Sequence, residues 1–165
     1  MKSLFVALTC LPFSLVVQPS FASEQRVVSQ QIEALAETDG TLEILSLDPS
    51  SRHGYSVSNR AVFHGFRILG RAFAEDPGDK KKLILALAKA VSENDGTIAS
   101  CFNPRHGLRF VGKEKKIELV ICFECASARC HGFNDDKGIL LTASAQPTFD
   151  AFLTNKRVPL AEKSK

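Results

Sequence analysis

The sequence predicts an α+β domain: an antiparallel meander sheet with helices packed on one face. The segment 117–125 alternates between two sets of residues at the two-residue period of a strand with one buried face. A shorter alternating segment, 108–111, precedes it, and the loop 112–115 can close a hairpin between the two. Segments of helical periodicity flank these strands. Strands joined by short turns favour an antiparallel sheet covered by helices.

The register of this hairpin is well specified. The alternation gives three expected pairs: Phe110 with Ile117, Leu108 with Leu119, and Arg109 with Glu118. The first two pairs are apolar on apolar, and the third joins opposite charges on the other, exposed face. A slip by one residue would put these sets on opposite faces, so the sequence strongly favours this one register.

The other elements follow in chain order. Before the hairpin we expect a helix over 23–38, a strand over 42–47, a polar loop over 50–60, a bent strand or hairpin over 61–75, a helix from Asp76-Pro77 to Asn94, and a strand over 97–102. After it we expect a turn over 134–138, a strand over 139–143 and a helix from Pro147. Aspartate followed by proline is a typical helix start.

The N-terminal segment 1–22 has the features of a signal peptide. Lys2 supplies the positive end, 4–17 is apolar but broken by a proline, and Ser-Phe-Ala precedes the expected cleavage after Ala22. The apolar run is too short and too interrupted for a transmembrane segment. We therefore expect an exported protein, periplasmic or extracellular. A single domain over 23–160 and a loose tail over 161–165 should follow.

The composition argues against several classes of partner. Without Lys2 of the signal segment, 20 lysine and arginine residues stand against 18 acidic residues, so the charge is close to balanced and gives no reason to expect nucleic acid or an anionic membrane as a partner. Tryptophan is absent and there is one tyrosine, so an aromatic platform for stacking sugars or bases is not expected. A protein or a small molecule remains possible as the partner.

Four of the five cysteines lie after the signal segment, and an exported protein favours disulfides between them. If 117–125 is fully extended, Cys122 and Cys125 point to opposite faces with Cα atoms ~10 Å apart, which is too far for a bond. Continuation of strand 97–102 through the NPRHG turn, with a bulge at the proline, would bring Cys101 opposite Cys125. A Cys101–Cys125 disulfide is therefore expected. Cys122 and Cys130 then remain thiols or pair through a sharp bend.

One candidate for chemistry is a reactive thiol. If the ladder of the hairpin extends, Arg105 faces Cys122, and a guanidinium beside a thiol favours the nucleophilic thiolate. His106, the next residue, is a possible base. The alternative is a structural cysteine with Arg105 paired to Glu124 instead. This structural interpretation is preferred in an oxidising compartment.

A metal site is the weaker candidate. The ligand types suit zinc, but their spacing matches no zinc-finger pattern, and extended strands would scatter them over both faces. No metal ligand and no cofactor is therefore assigned. The residues considered were Cys101, His106, Cys122, Cys125, Cys130 and His131.

A pair of motifs suggests a family. CFNPRHG (101–107) and VICFEC (120–125), with FHGFRILG (63–70) before and QPTFDAFLTNKRVPLA (146–161) after, resemble a group of uncharacterised bacterial proteins. Those proteins often carry export signals and share CF-x-PRHG followed by an ICF-x-C strand. The resemblance covers most of the chain after the signal and implies no activity. Cys130 departs from the pattern, since a non-cysteine residue is expected there.

Two functions remain open, and the sequence leaves undecided whether the protein is an enzyme. The preferred hypothesis is a small exported protein without catalysis that acts in binding, inhibition or association with the cell envelope. Its support is the lack of a complete catalytic constellation in the sequence. The alternative is a thiol-dependent enzyme, or a redox or metal protein, that uses Cys122 or Cys125 with His106 and Arg105.

Overall fold

A computed structural model of the chain describes residues 21–52, 61–132 and 138–162. Most of the expected signal segment therefore lies outside the described residues. The same holds for positions 53–60 of the polar loop, for most of the turn over 134–138 and for the end of the tail.

Within these ranges the chain forms three α-helices and seven strands. In chain order they are α1 (Phe21–Glu33), β1 (Gly40–Arg52), β2 (Val62–Phe63), β3 (Phe66–Phe73), α2 (Pro77–Ser92), β4 (His106–Gly112), β5 (Lys116–Cys122), β6 (Ser127–His131), β7 (Ile139–Leu140) and α3 (Gln146–Asn155). Short 3-10 turns follow α1 and precede α3. The side chain of Asp76 caps α2 by accepting hydrogen bonds from the backbone N–H groups of Gly78 and Asp79, as its position before a proline predicts.

The strands form one antiparallel sheet in the order β2-β3-β1-β4-β5-β6-β7. The three helices pack on one face, here called the helix face, and the main core lies between them and the sheet. From the helices this core receives apolar residues such as Ile32, Leu87 and Phe149, and from the central strands Ile44 and Leu108. The α+β class with an antiparallel meander is confirmed.

The register of the β4–β5 hairpin is confirmed residue by residue. The partners are Phe110 with Ile117, Leu108 with Leu119, Arg109 with Glu118 and Gly107 with Val120. The apolar partners face the helices, while Arg109 and Glu118 lie on the opposite face, here called the open face. Complementary partners on both faces agree with a single register, which explains the success of the prediction.

The prediction of one strand through Cys125 was wrong. β5 ends at Cys122, a turn occupies 123–126, and the chain returns as β6, a strand that the sequence did not suggest. The alternation continues past Cys122 because Phe123 and Cys125 are both buried in the turn, not because the chain stays extended. Ala126 has a positive φ of 53°, which tightens the reversal.

The prediction of a strand over 97–102 was also wrong. This segment has no regular secondary structure; the backbone N–H of Ala99 donates to the carbonyl of Cys125 and so ties the segment to the turn after β5. β1, in contrast, is longer than the predicted 42–47. It continues past Pro49, which lies inside a break in its pairing with β3 where no ladder hydrogen bond is required of it.

Residues 61–75 form the hairpin alternative, β2 and β3, rather than one bent strand. His64 and Gly65 form its two-residue turn with φ of 46° and 88°, the backbone that such hairpin turns require. Phe63 packs over the open face at Gly107, where the Cβ atom of any larger residue would lie 2.9 Å from the phenyl ring. A second, smaller core forms there from Leu45, Leu47, Phe63, Phe66 and Val120.

Candidate functional site

Three sulfur atoms meet where β5 ends. Cys122 and Cys125 form a disulfide with their Cα atoms 5.1 Å apart. The expected bond was Cys101–Cys125, on the assumption that Cys122 and Cys125 point to opposite faces of one strand. That assumption fails because the chain turns directly after Cys122 and brings the two residues together.

Cys101 lies in contact with this disulfide, although it is not part of it. Its Sγ is 3.2 Å from the Sγ of Cys125, and the backbone N–H of Asn103 donates to the same sulfur at 3.3 Å. Cys101 is exposed, whereas Cys122 and Cys125 are almost completely buried. The exposed sulfur of Cys101 therefore contacts the buried disulfide at the sulfur of Cys125. Exchange of a thiol with a disulfide needs this kind of contact.

Arg105 and His106 do not complete the site that the sequence suggested around Cys122. Arg105 is buried and pairs with Glu124 at 2.8 Å, as the structural alternative predicted. The Nε2 atom of His106 lies 2.8 Å from the Oδ1 atom of Asp150 on α3, so this ring faces the helices. Cys122, by the alternation of β5, lies on the other side of the sheet and is held in the disulfide.

A groove opens beside the exposed thiol. We call it the Cys101 groove; its volume is about 550 Å³, and its walls are the segment 98–102, Ser127 to Arg129 of β6 and Gly138 to Leu140 at β7. Ile98 on its wall is 59% exposed, the highest value among the exposed large apolar side chains of the described residues. The guanidinium of Arg129 stacks 4.0 Å from the ring centre of Phe102. The groove thus offers an apolar surface and a cation next to a thiol.

A second polar cluster crosses the open face. Glu43 on β1, Arg109 on β4, Glu118 on β5 and His131 on β6 are neighbours in successive ladders and form what we call the charged row. Arg109 binds both carboxylates, with 2.7 Å to Glu43 and 2.6 Å to Glu118. His64, from the β2–β3 turn, lies 3.0 Å from Glu118 and stacks on His131 with 3.7 Å between ring centres, and we count it as a fifth member of the charged row.

The charged row shifts the ionisation of its members. Burial alone would raise the pKa of Glu118, but hydrogen bonds from Arg109 and Lys116 outweigh it and hold that pKa below 4.5. Burial lowers the pKa of His64 below its ordinary 6.5, and His131 lowers it further against the opposing effect of Glu118. His64 is therefore neutral near pH 7 and accepts a proton with difficulty.

We expect acidification from about pH 7.5 to about pH 5.5 to lower the free energy of unfolding. The unfolded chain binds a proton at His64 near pH 6.5, while the folded chain, with its lowered pKa, binds it only at lower pH. The contribution of His64 to the free energy of unfolding is therefore fully present above pH 6.5 and is lost as the pH falls below that value. Urea unfolding of the protein and of His64→Asn at both pH values measures the effect. We expect the free energy of unfolding of His64→Asn to differ less between the two pH values than that of the unaltered protein. An equal difference for both proteins would contradict the assignment.

Two further observations bear on the type of site. Among the described residues, no group of three His, Cys, Asp or Glu side chains is placed to hold a metal ion. No helix in the described ranges is both long and apolar enough to cross a membrane.

The sequence identified the cysteines but not their arrangement, and it missed most of the charged row. A local signal for the row existed in Glu43, a single charge between Leu42 and Ile44 in an otherwise apolar strand. Comparisons of the chain with protein-family models, with curated proteins and with solved structures find no match. The family resemblance of the paired motifs therefore stays a prediction, and the functional argument depends on the geometry.

Proposed function

We propose that this is an exported thiol–disulfide exchange protein that oxidises dithiols through Cys101. The observation that supports this is the 3.2 Å contact between the exposed Cys101 thiol and the buried Cys122–Cys125 disulfide. A buried disulfide cannot be attacked directly by a bulky partner, because the attacking thiolate must reach the sulfur. Cys101 supplies the accessible sulfur, and the compartment proposed for the protein is one where disulfides persist.

The exchange begins within the chain. The thiolate of Cys101 attacks Sγ of Cys125, the Cys101–Cys125 bond forms, and the Cys122–Cys125 bond breaks. Cys122 leaves as a thiolate and takes up the proton that Cys101 lost. No electrons enter or leave in this step. It moves the disulfide outward, to a sulfur that a partner can reach.

The partner dithiol then reacts at the exposed sulfur. Its first thiolate attacks Sγ of Cys101 and forms a mixed disulfide, while Cys125 leaves as a thiolate. Its second thiolate attacks its own sulfur in that mixed disulfide and releases Cys101. The partner loses two electrons and two protons, and the chain gains a dithiol. A further turnover requires a disulfide compound to oxidise the chain again.

The test is one round of oxidation of dithiothreitol by the oxidised protein, followed by rapid acid quenching. We expect Cys101→Ser to slow the reaction by about tenfold or more, since the remaining disulfide is buried. Cys130→Ala is the matched control, because it removes the buried thiol of β6, whose side chain belongs to the core on the helix face. This control should react at close to the rate of the unaltered protein.

Peptide mapping without reduction adds a second measurement. A fraction of chains with a Cys101–Cys125 linkage would support the internal step. Equal rates for the unaltered protein and Cys101→Ser, with Cys122–Cys125 as the only linkage, would contradict the proposal.

The second candidate is the binding role without catalysis, and the Cys101 groove favours it. Its apolar lining and its exposed Ile98 suit a protein or small-molecule partner. In that role the Cys122–Cys125 disulfide only stabilises the turn after β5, and Cys101 contacts it without reacting. Failure of the dithiothreitol reaction would leave this candidate as the better supported.

A further inference from the structure

The sheet ends at β7, and two grooves meet at this strand. The Cys101 groove is one. The other, which we call the α1 groove, has a volume of about 450 Å³ and lies between α1 and the same residues, Gly138 to Leu140. β7 is last in the strand order, so no strand within the described residues pairs with its outer edge. Such an edge presents backbone N–H and C=O groups to an incoming strand.

The two grooves belong to opposite faces of the sheet. α1 contributes Val28 and Ile32 to the core on the helix face, so the α1 groove lies on that side. The Cys101 groove contains Phe102, which packs against the small core of the open face, and Arg129, which stacks on it. A strand added beside β7 would therefore direct alternate side chains into the two grooves.

The α1 groove contains a buried polar group that accepts no hydrogen bond from the part of the chain that the structure describes. Gln25 is 9% exposed and lines this groove, and its buried Oε1 atom has no hydrogen-bond donor among the described residues. Buried side-chain oxygens in folded proteins nearly always have a donor, so this one calls for an explanation. The backbone N–H of a polypeptide in the groove is a donor of the right kind.

Exposed apolar side chains mark the same region. Val27, on the wall of the α1 groove, is 53% exposed, and Ile98, on the wall of the Cys101 groove, is 59% exposed. Both residues follow the expected cleavage site, so processing after Ala22 would keep them. Apolar surface on both sides of an open strand edge suits an extended chain with apolar side chains.

We infer that the substrate is a cysteine-containing polypeptide that binds in extended form as an added strand along β7. Its alternate side chains enter the α1 groove and the Cys101 groove, and its cysteine faces Cys101. This inference rests on the proposed function, for which it names the class of substrate. Backbone pairing with β7 supplies affinity for many sequences, and the grooves select the side chains.

The probe is a synthetic peptide of about nine residues, rich in valine and threonine, with one central cysteine. A second peptide carries N-methyl groups on its central backbone nitrogens, which removes the donors needed for pairing. We expect the first to form the mixed disulfide with Cys101 at least about tenfold faster than the second, as followed by mass spectrometry. Equal rates for the two peptides would overturn the inference.

A serine analogue of the peptide separates binding from exchange. One outcome is that the serine peptide binds and its N-methylated form does not, while the cysteine peptide forms no mixed disulfide. In that case the docking stands and the proposed function fails. If dithiothreitol is oxidised through Cys101 but both serine peptides bind equally or not at all, the proposed function stands and the docking fails.

Gln25→Leu tests the groove itself. We expect this variant to bind the serine peptide about tenfold more weakly while its thermal stability does not fall, because an unpartnered oxygen has been removed. Gln30→Leu, the same change at an exposed position of α1 outside the groove, should bind as the unaltered protein does. Equal affinity of the two variants would count against the α1 groove as part of the site.

Discussion

Replacing Leu119 with aspartate is expected to prevent folding. Leu119 is 1% exposed at the centre of β5, with Leu108 on one side and Cys130 on the other, all facing the helices. A carboxylate there loses its hydration, and no cation is among its ladder partners. The cost is several kcal/mol, comparable with the total stability of about 5–15 kcal/mol that a domain of this size has.

Circular dichroism and the soluble yield of the purified variant measure this result. Val111→Asp is the matched control, because Val111 is 41% exposed on the neighbouring strand and is paired with Lys116. We expect the control to fold. A folded Leu119→Asp would mean that the two faces of β5 have been assigned the wrong way round.

Replacing Glu118 with alanine is expected to lower the free energy of unfolding by about 2–3 kcal/mol. The sequence alone predicts an exposed pair with Arg109, worth less than about 1 kcal/mol. In the structure the Glu118 side chain is only 10% exposed and binds Arg109, Lys116 and His64. Its removal takes an acceptor from all three groups, although Arg109 keeps its second carboxylate, Glu43. Because these partners keep some contact with water, the expected cost is below that of a fully buried pair.

Chemical denaturation near neutral pH is the measurement. Glu37→Ala provides the comparison, since Glu37 pairs with Lys81 at 2.7 Å on an exposed surface. We expect no measurable change for that variant. Similar losses for Glu118→Ala and Glu37→Ala would show that the charged row contributes no more than an ordinary surface pair.

The fold was predictable where the signals are local. The β4–β5 pairing follows from two short alternating segments around a loop, and the start of α2 follows from Asp76 and Pro77. The reversal after Cys122 was not predictable by the same means. The turn over 123–126 contains no glycine, proline or asparagine, and its buried residues continue the alternation of the strand before it.

The candidate site was predictable only in part. The cysteines could be named, but their pairing depends on that unmarked turn, and its misassignment led to Cys101–Cys125 in place of Cys122–Cys125. The charged row joins Glu43, His64 and His131 to the predicted Arg109–Glu118 pair. These three come from separate parts of the chain, and no local spacing relates them.

The position of β1 inside the sheet, between β3 and β4, has a consequence for the order of folding. The β1–β3 ladder and the successive hairpins from β4 to β7 join segments that are close in the chain. The β1–β4 ladder, in contrast, joins two strands that are separated in sequence by the whole segment between 52 and 106. Closing a longer loop costs more chain entropy. We therefore expect the two halves of the sheet to form first as local units and the β1–β4 ladder that joins them to form more slowly.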